Sequence, residues 1–245
     1  MYHFFAPSEN GDSGVIMITG ADVNHITNVL RLKCGDRIAV ADGRDRDCLC
    51  EIEETGPAFV RCKVLPDELA ETECPVRLHL FQGLPKGDKM ELIIQKAVEL
   101  GAASLVPVEM KRCVVKLEEK KKVSKTERWQ RIAESAAKQS GRRIIPPVEM
   151  PLSFAKAVEK ASQMAAVLVP YENAEDIAAT RRILAEVPKD SDCAIFIGPE
   201  GGFDPVEIEA LKEIGAKIIT LGPRILRTET AGMAVLAMCT LMMEG

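Results

Sequence analysis

The 245-residue chain has few aromatic residues, few histidines and no paired cysteine motif. Only 4% of its residues are aromatic and only three are histidine. The eight cysteines are scattered without a Cys-x-x-Cys pair, and the single Cys-x-Cys, Cys48 and Cys50, has no histidine nearby. A structural zinc site needs about four ligands grouped at typical spacings. We therefore expect reduced, mostly buried thiols and no metal centre.

Long apolar runs are also missing. No stretch approaches the roughly 18 uncharged apolar residues that a membrane span requires. The first residues, MYHFFAPSENGD, have neither a basic start nor the apolar core of a signal peptide. These absences favour a cytoplasmic protein with no membrane partner. With 47% hydrophobic residues, the chain has enough apolar side chains for one or two domains with a sizeable core.

The Walker and Rossmann glycine spacings are absent, which argues against a nucleotide- or dinucleotide-dependent enzyme. A different glycine-rich pattern occurs at residues 193–232, CAIFIGPEGGFDPVEIEALKEIGAKIITLGPRILRTETAG. Two apolar runs, Ala194–Ile197 and Ile218–Leu221, each lead into Gly-Pro, and Asp204-Pro-Val-Glu207 between them predicts a capped helix. Strands that end in such loops at one sheet edge form a ligand crevice in α/β proteins.

The first of these loops, Gly198–Gly202, differs from a phosphate cradle. Pro199 removes an N–H donor and Glu200 adds negative charge, so the loop suits a neutral or cationic ligand better than a phosphate. A plain strand-to-helix turn is the simpler interpretation of one such loop. The recurrence of Gly-Pro at Gly222-Pro223 favours a pocket built from both loops.

Two arginines, Arg224 and Arg227, follow the second loop. The simple interpretation is a helix start capped by Thr228 with an Arg–Glu pair nearby. That interpretation leaves unexplained why two guanidinium groups lie beside a crevice, where such groups bind phosphate or polarise carbonyl oxygens.

Hydrophobic patterning divides the chain into two regions. Residues 1–65 are strand-rich and fit a small β-barrel with one short helix, in which Asp22 is the expected cap and Ile26, Val29 and Leu30 share a face. The acidic, proline-bounded residues 65–75 are the predicted linker. From Val76 strands and helices alternate, which predicts a mostly parallel sheet with helices on both faces. The apolar final helix is expected to be buried in the core or against another subunit.

Charge is unevenly distributed. The formal net charge is −5, yet residues 111–143 contain twelve Lys or Arg and four Glu, a local charge of +8. This asymmetry predicts a localised footprint for a polyanion, and a solvated lysine-rich helix is the alternative.

Several motifs together resemble one family. They are His25-x-x-x-Val-Leu-Arg31 with Gly35-Asp36, Lys86-Gly-Asp-Lys-Met-Glu91, Gln95-Lys-Ala-Val-Glu-Leu-Gly101, Arg128-Trp129, Ala137-Lys-Gln-Ser140, Ile197-Gly-Pro-Glu-Gly-Gly202 and Leu221-Gly-Pro-Arg-Ile-Leu-Arg-Thr-Glu-Thr-Ala231. In these motifs the sequence resembles the RsmE-type methyltransferases of the SPOUT class, which act on N3 of a uridine in 16S ribosomal RNA. The resemblance spans nearly the whole chain.

The resemblance implies an N-terminal PUA-like RNA-binding β-barrel over residues 1–72. It also implies an α/β methyltransferase domain with a trefoil knot over residues 73–245, and a homodimer. Its implied cofactor is S-adenosylmethionine, held between the two loops with 168–172 as a third wall. The implied cofactor-binding residues are Leu168, Pro170, Glu172, Ile197, Gly198, Glu200, Gly201, Gly202, Leu221, Gly222, Ile225, Leu226 and Ala231.

The chemistry of the implied reaction leads to hypotheses for the catalytic and RNA-binding residues. We expect Arg227 to stabilise negative charge on a uracil oxygen and Thr230 and Glu229 to fix the local geometry, with Glu229 as proton acceptor in an alternative mechanism. The expected RNA-binding residues are His3, His25, Arg31, Lys33, Lys86, Lys89, Arg112 and Arg142. Two other functions stay open at this point: methylation of another RNA by the same class of enzyme, and a non-catalytic RNA-binding role in ribosome assembly.

Overall fold

A computed structural model describes residues 1–6, 14–44, 46–66, 69, 71–171 and 176–243. The chain forms two compact units. The first comprises Met1–Glu73 and Ala137–Ile145, and the second comprises Cys74–Ala136 and Pro146–Gly245.

The first unit contains a five-stranded sheet. Its strands are β1 (His3–Phe5), β2 (Val15–Thr19), β3 (Arg37–Ala41), β4 (Asp47–Thr55) and β5 (Phe59–Val64). They lie in the order β1-β3-β4-β5-β2, antiparallel except for the parallel pair of β1 and β3. Alternating apolar side chains face one core, which includes Phe4, Ile18, Ile38, Ile52 and Val60. The predicted strand-rich N-terminal region is confirmed.

The short helix of this unit differs from its prediction. Helix α1 (Ala21–Asn24) begins after Gly20, so Asp22 lies inside its first turn and is not the cap. The helix continues as a π-helical turn over His25–Val29, closed by a hydrogen bond from the Leu30 N–H to the His25 carbonyl. This wider turn rotates the following side chains relative to an α-helix. Ile26 is therefore buried as expected, whereas Val29 is 63% exposed.

The second unit contains a six-stranded parallel sheet. Its strands are β6 (Arg77–Gly83), β7 (Ser104–Glu109), β8 (Leu152–Ser153), β9 (Ala166–Pro170), β10 (Asp192–Ile197) and β11 (Lys217–Ile219). They lie in the order β11-β9-β10-β6-β7-β8. Every neighbouring pair is parallel. The predicted α/β class with a mostly parallel sheet is confirmed.

Among the described residues of this unit, five helices lie between its strands in the sequence, and a sixth follows the last strand. They are α2 (Lys89–Glu99), α3 (Glu119–Ser140), α4 (Phe154–Ala161), α5 (Ile177–Ala185), α6 (Pro205–Glu213) and α7 (Thr228–Met243). Helix α6 begins with the predicted capping box: the Asp204 carboxylate accepts from the Val206 N–H at 3.2 Å, and the Glu207 carboxylate accepts from the Asp204 N–H at 2.9 Å. Gly101 has φ +85° directly after α2 and ends that helix as predicted.

The parallel arrangement determines where a site can form. Since β6, β9, β10 and β11 run in the same direction, their carboxyl ends and the loops that follow them share one edge of the sheet. Below that edge the sheet is packed with apolar side chains, among them the stacked rings of Phe81 and Phe196. The loops are thus mounted on a rigid support.

The cysteines are free thiols of mixed exposure. All eight cysteines are free, and four are buried. Burial raises the pKa of Cys50, Cys62 and Cys193 to about 12, which keeps these thiols protonated at neutral pH. No helix among the described residues has the length and apolar composition to cross a membrane.

Candidate functional site

A cavity of about 500 Å³ opens at the carboxyl edge of the parallel sheet. Its walls come from the ends of β9 and β11, the start of α5 and the loop before α7. The lining residues are Pro170, Tyr171, Asp176, Ile177, Thr220, Leu221, Gly222, Pro223, Arg224, Ile225, Leu226 and Ala231. Pockets for cofactors typically have this size and are mostly apolar with a few polar groups.

Buried Thr180 braces the loop that forms one side of the cavity. Its hydroxyl donates to the Thr220 carbonyl at 3.2 Å and accepts from the Thr220 N–H at 3.0 Å. The Thr220 hydroxyl in turn accepts from the Gly222 N–H at 3.1 Å. Gly222 has φ +104°, a conformation that residues with a Cβ adopt at a cost. The loop is therefore held in one shape before any ligand binds.

The loop after β10 packs tightly against its neighbours. A Cβ on Gly83, at the end of β6, would lie 2.7 Å from both the nitrogen and Cδ of Pro199. A Cβ on Gly201 would lie 3.0 Å from the Cβ of Arg112, whose guanidinium also donates to the Gly201 carbonyl at 3.1 Å. The glycines at these positions permit a backbone approach that larger residues would prevent.

Thr228 joins this loop to the start of α7. Its hydroxyl donates to the Gly198 carbonyl at 2.6 Å and accepts from the Gln82 side-chain amide at 2.8 Å. The structure therefore corrects the expected role of Thr228: it is the first residue of α7, and its hydroxyl bonds another loop, not the helix backbone.

Three charged side chains meet beside the same loop. The Lys89 ammonium lies 3.0 Å from a carboxylate oxygen of Glu200 and 3.3 Å from one of Glu229. The expected Arg–Glu pair near the helix start is replaced by this Lys–Glu pair. Hydrogen bonding to Glu200 raises the pKa of Lys89, so the ammonium stays charged.

Arg227 and Thr230 lie at the exposed start of α7, directly after the cavity loop. Among the described residues, the Arg227 guanidinium makes no hydrogen bond or ion pair, so it is available to a substrate. Its carbonyl accepts from the Ala231 N–H at 2.8 Å, which fixes the backbone of this turn. The three expected catalytic residues thus lie within four positions of chain, next to the cavity.

The structure divides the expected cofactor-binding residues into groups. Six line the cavity: Pro170, Leu221, Gly222, Ile225, Leu226 and Ala231. Leu168 and Ile197 are buried in the strands below, and the members of the 198–202 loop lie outside the lining. Glu172 lies outside the described residues.

Tyr171 lines the cavity as part of the expected 168–172 wall, whereas Asp176, Ile177 and Thr220 were not anticipated from the sequence. Asp176 could have been identified from the sequence as a helix cap. In the structure its side chain accepts from the Ala179 N–H at 2.8 Å and caps α5. A capped helix start after a strand at this edge is a common binding element.

Three of the expected RNA-binding residues in the first unit, His25, Arg31 and Lys33, are exposed. Arg31 has φ +55°, which is uncommon for a residue with a side chain. His3 is half-buried against Phe5, and both of its ring nitrogens lie buried without a hydrogen-bond partner among the described residues. Burial lowers the pKa of His3, so its ring is neutral at pH 7.

Arg142 is also in the first unit but is buried, with 4% of its surface exposed. Its guanidinium forms an ion pair with Glu73. An arginine that is enclosed and neutralised in this way cannot reach an RNA phosphate from its present position. We therefore assign Arg142 a structural role and leave it out of the RNA-binding surface.

In the second unit, Lys86 is exposed, whereas Arg112 packs on Gly201 and Lys89 is bound by two carboxylates. Six further exposed cationic residues of this unit lie in the basic segment, residues 111–143. They are Lys111, Lys116, Lys120, Lys121, Arg128 and Arg131. Lys111 and Arg128 have partners, at 3.0 Å from Asp204 and 2.9 Å from Glu91.

The opposite edge of the parallel sheet carries a separate polar cluster. The His79 ring lies 2.7 Å from the Ser104 hydroxyl and 2.8 Å from an Asp192 carboxylate oxygen. Arg77 holds the same carboxylate through two hydrogen bonds of 2.8 and 3.0 Å. Ser104 is 4% exposed, so a substrate cannot reach its hydroxyl. The cluster instead links the N-terminal ends of β6, β7 and β10.

Comparison with known proteins identifies the family. Residues 72–240 match the family described as RNA methyltransferase domain, and residues 18–65 match the family described as RNA methyltransferase PUA domain. The first match covers more than half of the chain. The chain belongs to the RNA methyltransferase family. No group of three or more potential metal ligands was found in this family member's described residues.

Relatives within the RNA methyltransferase family are similar over most of their length. The chain is 40% identical over 223 residues to the ribosomal RNA small subunit methyltransferase E of Bacillus subtilis, covering 90% of this chain and 87% of the relative. It is 33% identical over 233 residues to the protein of the same name from Mycobacterium bovis, covering 92% and 86%.

Solved structures agree with this assignment. The ribosomal RNA small subunit methyltransferase E of Neisseria gonorrhoeae, bound to S-adenosyl methionine, is 28% identical with a TM-score of 0.82, covering 97% of this chain and 96% of that one. A methyltransferase from Legionella pneumophila, also in complex with this cofactor, is 29% identical with a TM-score of 0.81, covering 98% and 97%. The family fold thus extends over the whole chain.

Proposed function

We propose that this protein transfers a methyl group from S-adenosylmethionine to N3 of a uridine in 16S ribosomal RNA. The observation that carries the proposal is the adjacency of a cofactor-sized cavity and the Arg227–Thr230 turn, which are joined by a single loop. Relatives named ribosomal RNA small subunit methyltransferase E support the substrate.

The cavity suits S-adenosylmethionine chemically. Apolar side chains such as Leu226 and Ile177 offer contact to a flat adenine ring, and the backbone of Leu221 offers hydrogen bonds to its edge. The Asp176 carboxylate, also in the lining, favours a cationic ligand over a phosphate. When bound, the cofactor supplies an electrophilic methyl group on a sulfonium.

The residues that follow the cavity-lining loop in the sequence would act on the uracil base. The N3 proton of uridine must pass to water, or in the alternative mechanism to the Glu229 carboxylate, before or during methyl transfer, and negative charge then develops on the uracil ring until N3 bonds the methyl group. We assign Arg227 to stabilise that charge on a uracil oxygen, since its guanidinium is exposed and has no partner among the described residues. Thr230 and Glu229 position the turn, and alignment of the two reactants supplies much of the rate.

Basic residues outside the cavity would bind the RNA backbone. In the first unit these are His25, Arg31 and Lys33, and in the second unit Lys86 and the exposed lysines of residues 111–131. Such contacts position an RNA without distinguishing its sequence. Binding should therefore weaken steeply as salt increases, and an affinity independent of salt would contradict this surface.

The test is Arg227→Ala, with Arg181→Ala as the control because Arg181 is an exposed arginine of α5 outside the cavity lining. Calorimetry measures cofactor affinity, and transfer of labelled methyl to 16S RNA or to small subunits measures turnover. We expect Arg227→Ala to bind the cofactor like the wild type and to lose methyl transfer, while Arg181→Ala retains both.

Substrate identity needs a second experiment. Mass mapping of ribosomal RNA from a strain that lacks this protein should show the loss of one methyl mark on a uridine N3. Retention of every mark in 16S RNA, or transfer to tRNA alone in the labelled assay, would contradict the proposed substrate.

The homodimer stays a prediction. It is supported by the exposed apolar residues Leu241, which is 80% exposed, and Met242, which is 41% exposed, at the end of α7. The trefoil knot, the cytoplasmic location and the absence of a metal also stay predictions.

A further inference from the structure

Three segments of the second unit converge on the ammonium group of Lys89. Lys89 is the first residue of α2, Glu200 lies in the loop after β10, and Glu229 lies in the first turn of α7. The ammonium is 3.0 Å from Glu200 and 3.3 Å from Glu229. Lys89 thus contacts two carboxylates that lie 111 and 140 positions further along the chain.

Glu200 has a second bond to the same segment. The Lys86 N–H donates to the Glu200 carboxylate oxygen that Lys89 contacts, at 3.1 Å. Burial opposes the charge on Glu200, but hydrogen bonds from its own backbone N–H and from Lys89 outweigh burial, and the pKa of Glu200 lies below its ordinary value. The carboxylate is therefore ionised and held at neutral pH.

Glu229 depends more strongly on Lys89. Its side chain is 16% exposed, and the Lys89 contact is its only ion pair among the described residues. Removal of the ammonium would leave two neighbouring carboxylates without their shared counter-charge. A partly enclosed carboxylate that loses its partner carries a desolvation cost and repels its neighbour.

These contacts argue against Lys89 as a phosphate contact. To bind an RNA phosphate, its ammonium would have to leave two carboxylates at an edge that a polyanion approaches. Exposed Lys86, three residues earlier, can bind a phosphate without breaking an ion pair within the described residues. The two lysines of this motif therefore have different tasks.

We propose that Lys89 is a positioning residue, which fixes the 198–202 loop relative to the start of α7 by pairing with Glu200 and Glu229 together. Arg227 and Thr228 belong to that helix start, so the placement of Arg227 against the bound cofactor depends on Lys89. The inference rests on the proposed function for its catalytic consequence. Its structural consequence, a loop fastened to α7, is independent of the reaction.

The variant Lys89→Met removes the charge and keeps the length of the side chain. Lys96→Met is the matched control, because Lys96 is on the same helix and pairs with Glu99 at 2.7 Å, outside the site. At saturating RNA and cofactor we expect the kcat of Lys89→Met to fall by about ten- to a hundredfold, the cost of a misplaced catalytic group. Lys89→Arg should recover most of this loss, and Lys96→Met should keep the wild-type kcat.

The RNA titration separates positioning from phosphate binding. A lysine that binds phosphate contributes roughly one unit to the slope of log affinity against log salt. We expect the slope for Lys89→Met to equal that of the wild type. A reduced slope with an unchanged kcat would overturn the proposal and return Lys89 to the RNA surface.

Hydrogen exchange tests the structural consequence without any reaction. In Lys89→Met the amides of residues 200–202 and 229–231 should exchange faster than in the wild type, and in Lys96→Met they should not change. Glu200→Gln should speed exchange in the wild type and add little in the Lys89→Met background, since both changes break one linkage. Unchanged exchange in Lys89→Met would overturn the proposal.

These readouts distinguish the two proposals. If the wild type does not methylate 16S RNA, the proposed function fails, while faster exchange in Lys89→Met would still support the linkage. If the wild type is active and Lys89→Met matches it in kcat and in exchange, the role of Lys89 fails and the proposed function stands.

Discussion

The Thr228 hydroxyl donates a 2.6 Å hydrogen bond to the Gly198 carbonyl, so the first residue of α7 is bonded to the loop that follows β10. Gln82 determines the direction of this bond. Its amide N–H groups donate to Thr228 and to the Gly83 carbonyl, so Thr228 must accept from Gln82 and donate to Gly198. The chain of bonds joins β6, the loop and the helix in one orientation.

Thr228→Val keeps the shape of the side chain and removes both of these bonds. The buried Gln82 amide and the Gly198 carbonyl then lose a partner, and we expect the free energy of unfolding to fall by about 1–3 kcal/mol. Methyl transfer should fall as well, because Arg227 directly precedes this anchor. Thr228→Ser is the control and should stay near the wild type in urea unfolding and in turnover. Equal behaviour of the Val and Ser variants would contradict the role of the hydroxyl.

Gly83→Ala should displace the loop that begins at Gly198. The new Cβ would lie 2.7 Å from backbone and ring atoms of Pro199, which cannot move without the loop. We expect a destabilisation of about 1–3 kcal/mol, the usual cost of overpacking, and weaker cofactor binding by calorimetry.

A second glycine provides the contrast. Gly232 lies within α7, where a Cβ would meet its nearest neighbours at 3.6 and 3.8 Å, ordinary contact distances. Gly232→Ala should therefore raise the free energy of unfolding by about 0.5–1 kcal/mol through helix propensity. A loss of stability in Gly232→Ala as large as that in Gly83→Ala would contradict the steric argument.

Thr180 is not among the residues that line the cavity, yet we expect it to affect the affinity for the cofactor. Thr180→Val breaks the two hydrogen bonds that hold Thr220, at 3.2 and 3.0 Å, and frees the 220–222 loop. We expect cofactor binding to weaken by about three- to tenfold, because the ligand must then order a loop that the two hydrogen bonds no longer hold. Thr180→Ser should bind like the wild type in the same calorimetric titration, and a matching loss in both variants would implicate the methyl group instead.

Asp192 should make stability depend on acid pH. Hydrogen bonds from Arg77, and more weakly from His79, lower the pKa of Asp192 from 3.8 to about 2. A carboxyl with a lowered pKa stabilises the fold above its unfolded pKa, and this contribution is lost as the pH falls toward the folded pKa. The difference in unfolding free energy between the wild type and Asp192→Asn should therefore be full above pH 5 and shrink toward pH 2. A difference that is constant with pH would show that the charge of Asp192 is not the cause.

Local sequence patterns predicted most of the second unit. The Asp204-Pro-Val-Glu207 cap, the Gly101 stop and the apolar strands involve residues close in sequence, whose preferences the structure does not oppose. Residue preferences gave wrong predictions at positions where tertiary contacts or an unusual helical turn determine the local structure. Val29 was expected on a buried face, yet it lies within the π-helical turn His25–Val29 and its side chain is exposed.

The sequence predicted the loops of the candidate site, but it did not predict which side chains contact one another there. The Gly-Pro pairs after two apolar runs indicated the sheet edge, and six of the expected cofactor residues line one cavity. Nothing local reveals that Lys89 faces Glu200 and Glu229, or that Arg142 pairs with Glu73, because these contacts depend on which strands become neighbours. A basic residue in a basic segment is therefore a weak predictor of an RNA contact.

The division of the chain also has a consequence for synthesis on the ribosome. The first unit needs residues 137–145, which supply Lys138 as partner of Asp22 and Arg142 as partner of Glu73. Domains usually fold as units in the order in which they emerge. Here residues 137–145 emerge only after the 63 intervening residues of the other unit, 74–136, have been translated. A nascent chain halted before Ala137 should consequently hold all five strands but lack the partners of Asp22 and Glu73, and so be more accessible to chaperones and proteases than the complete unit.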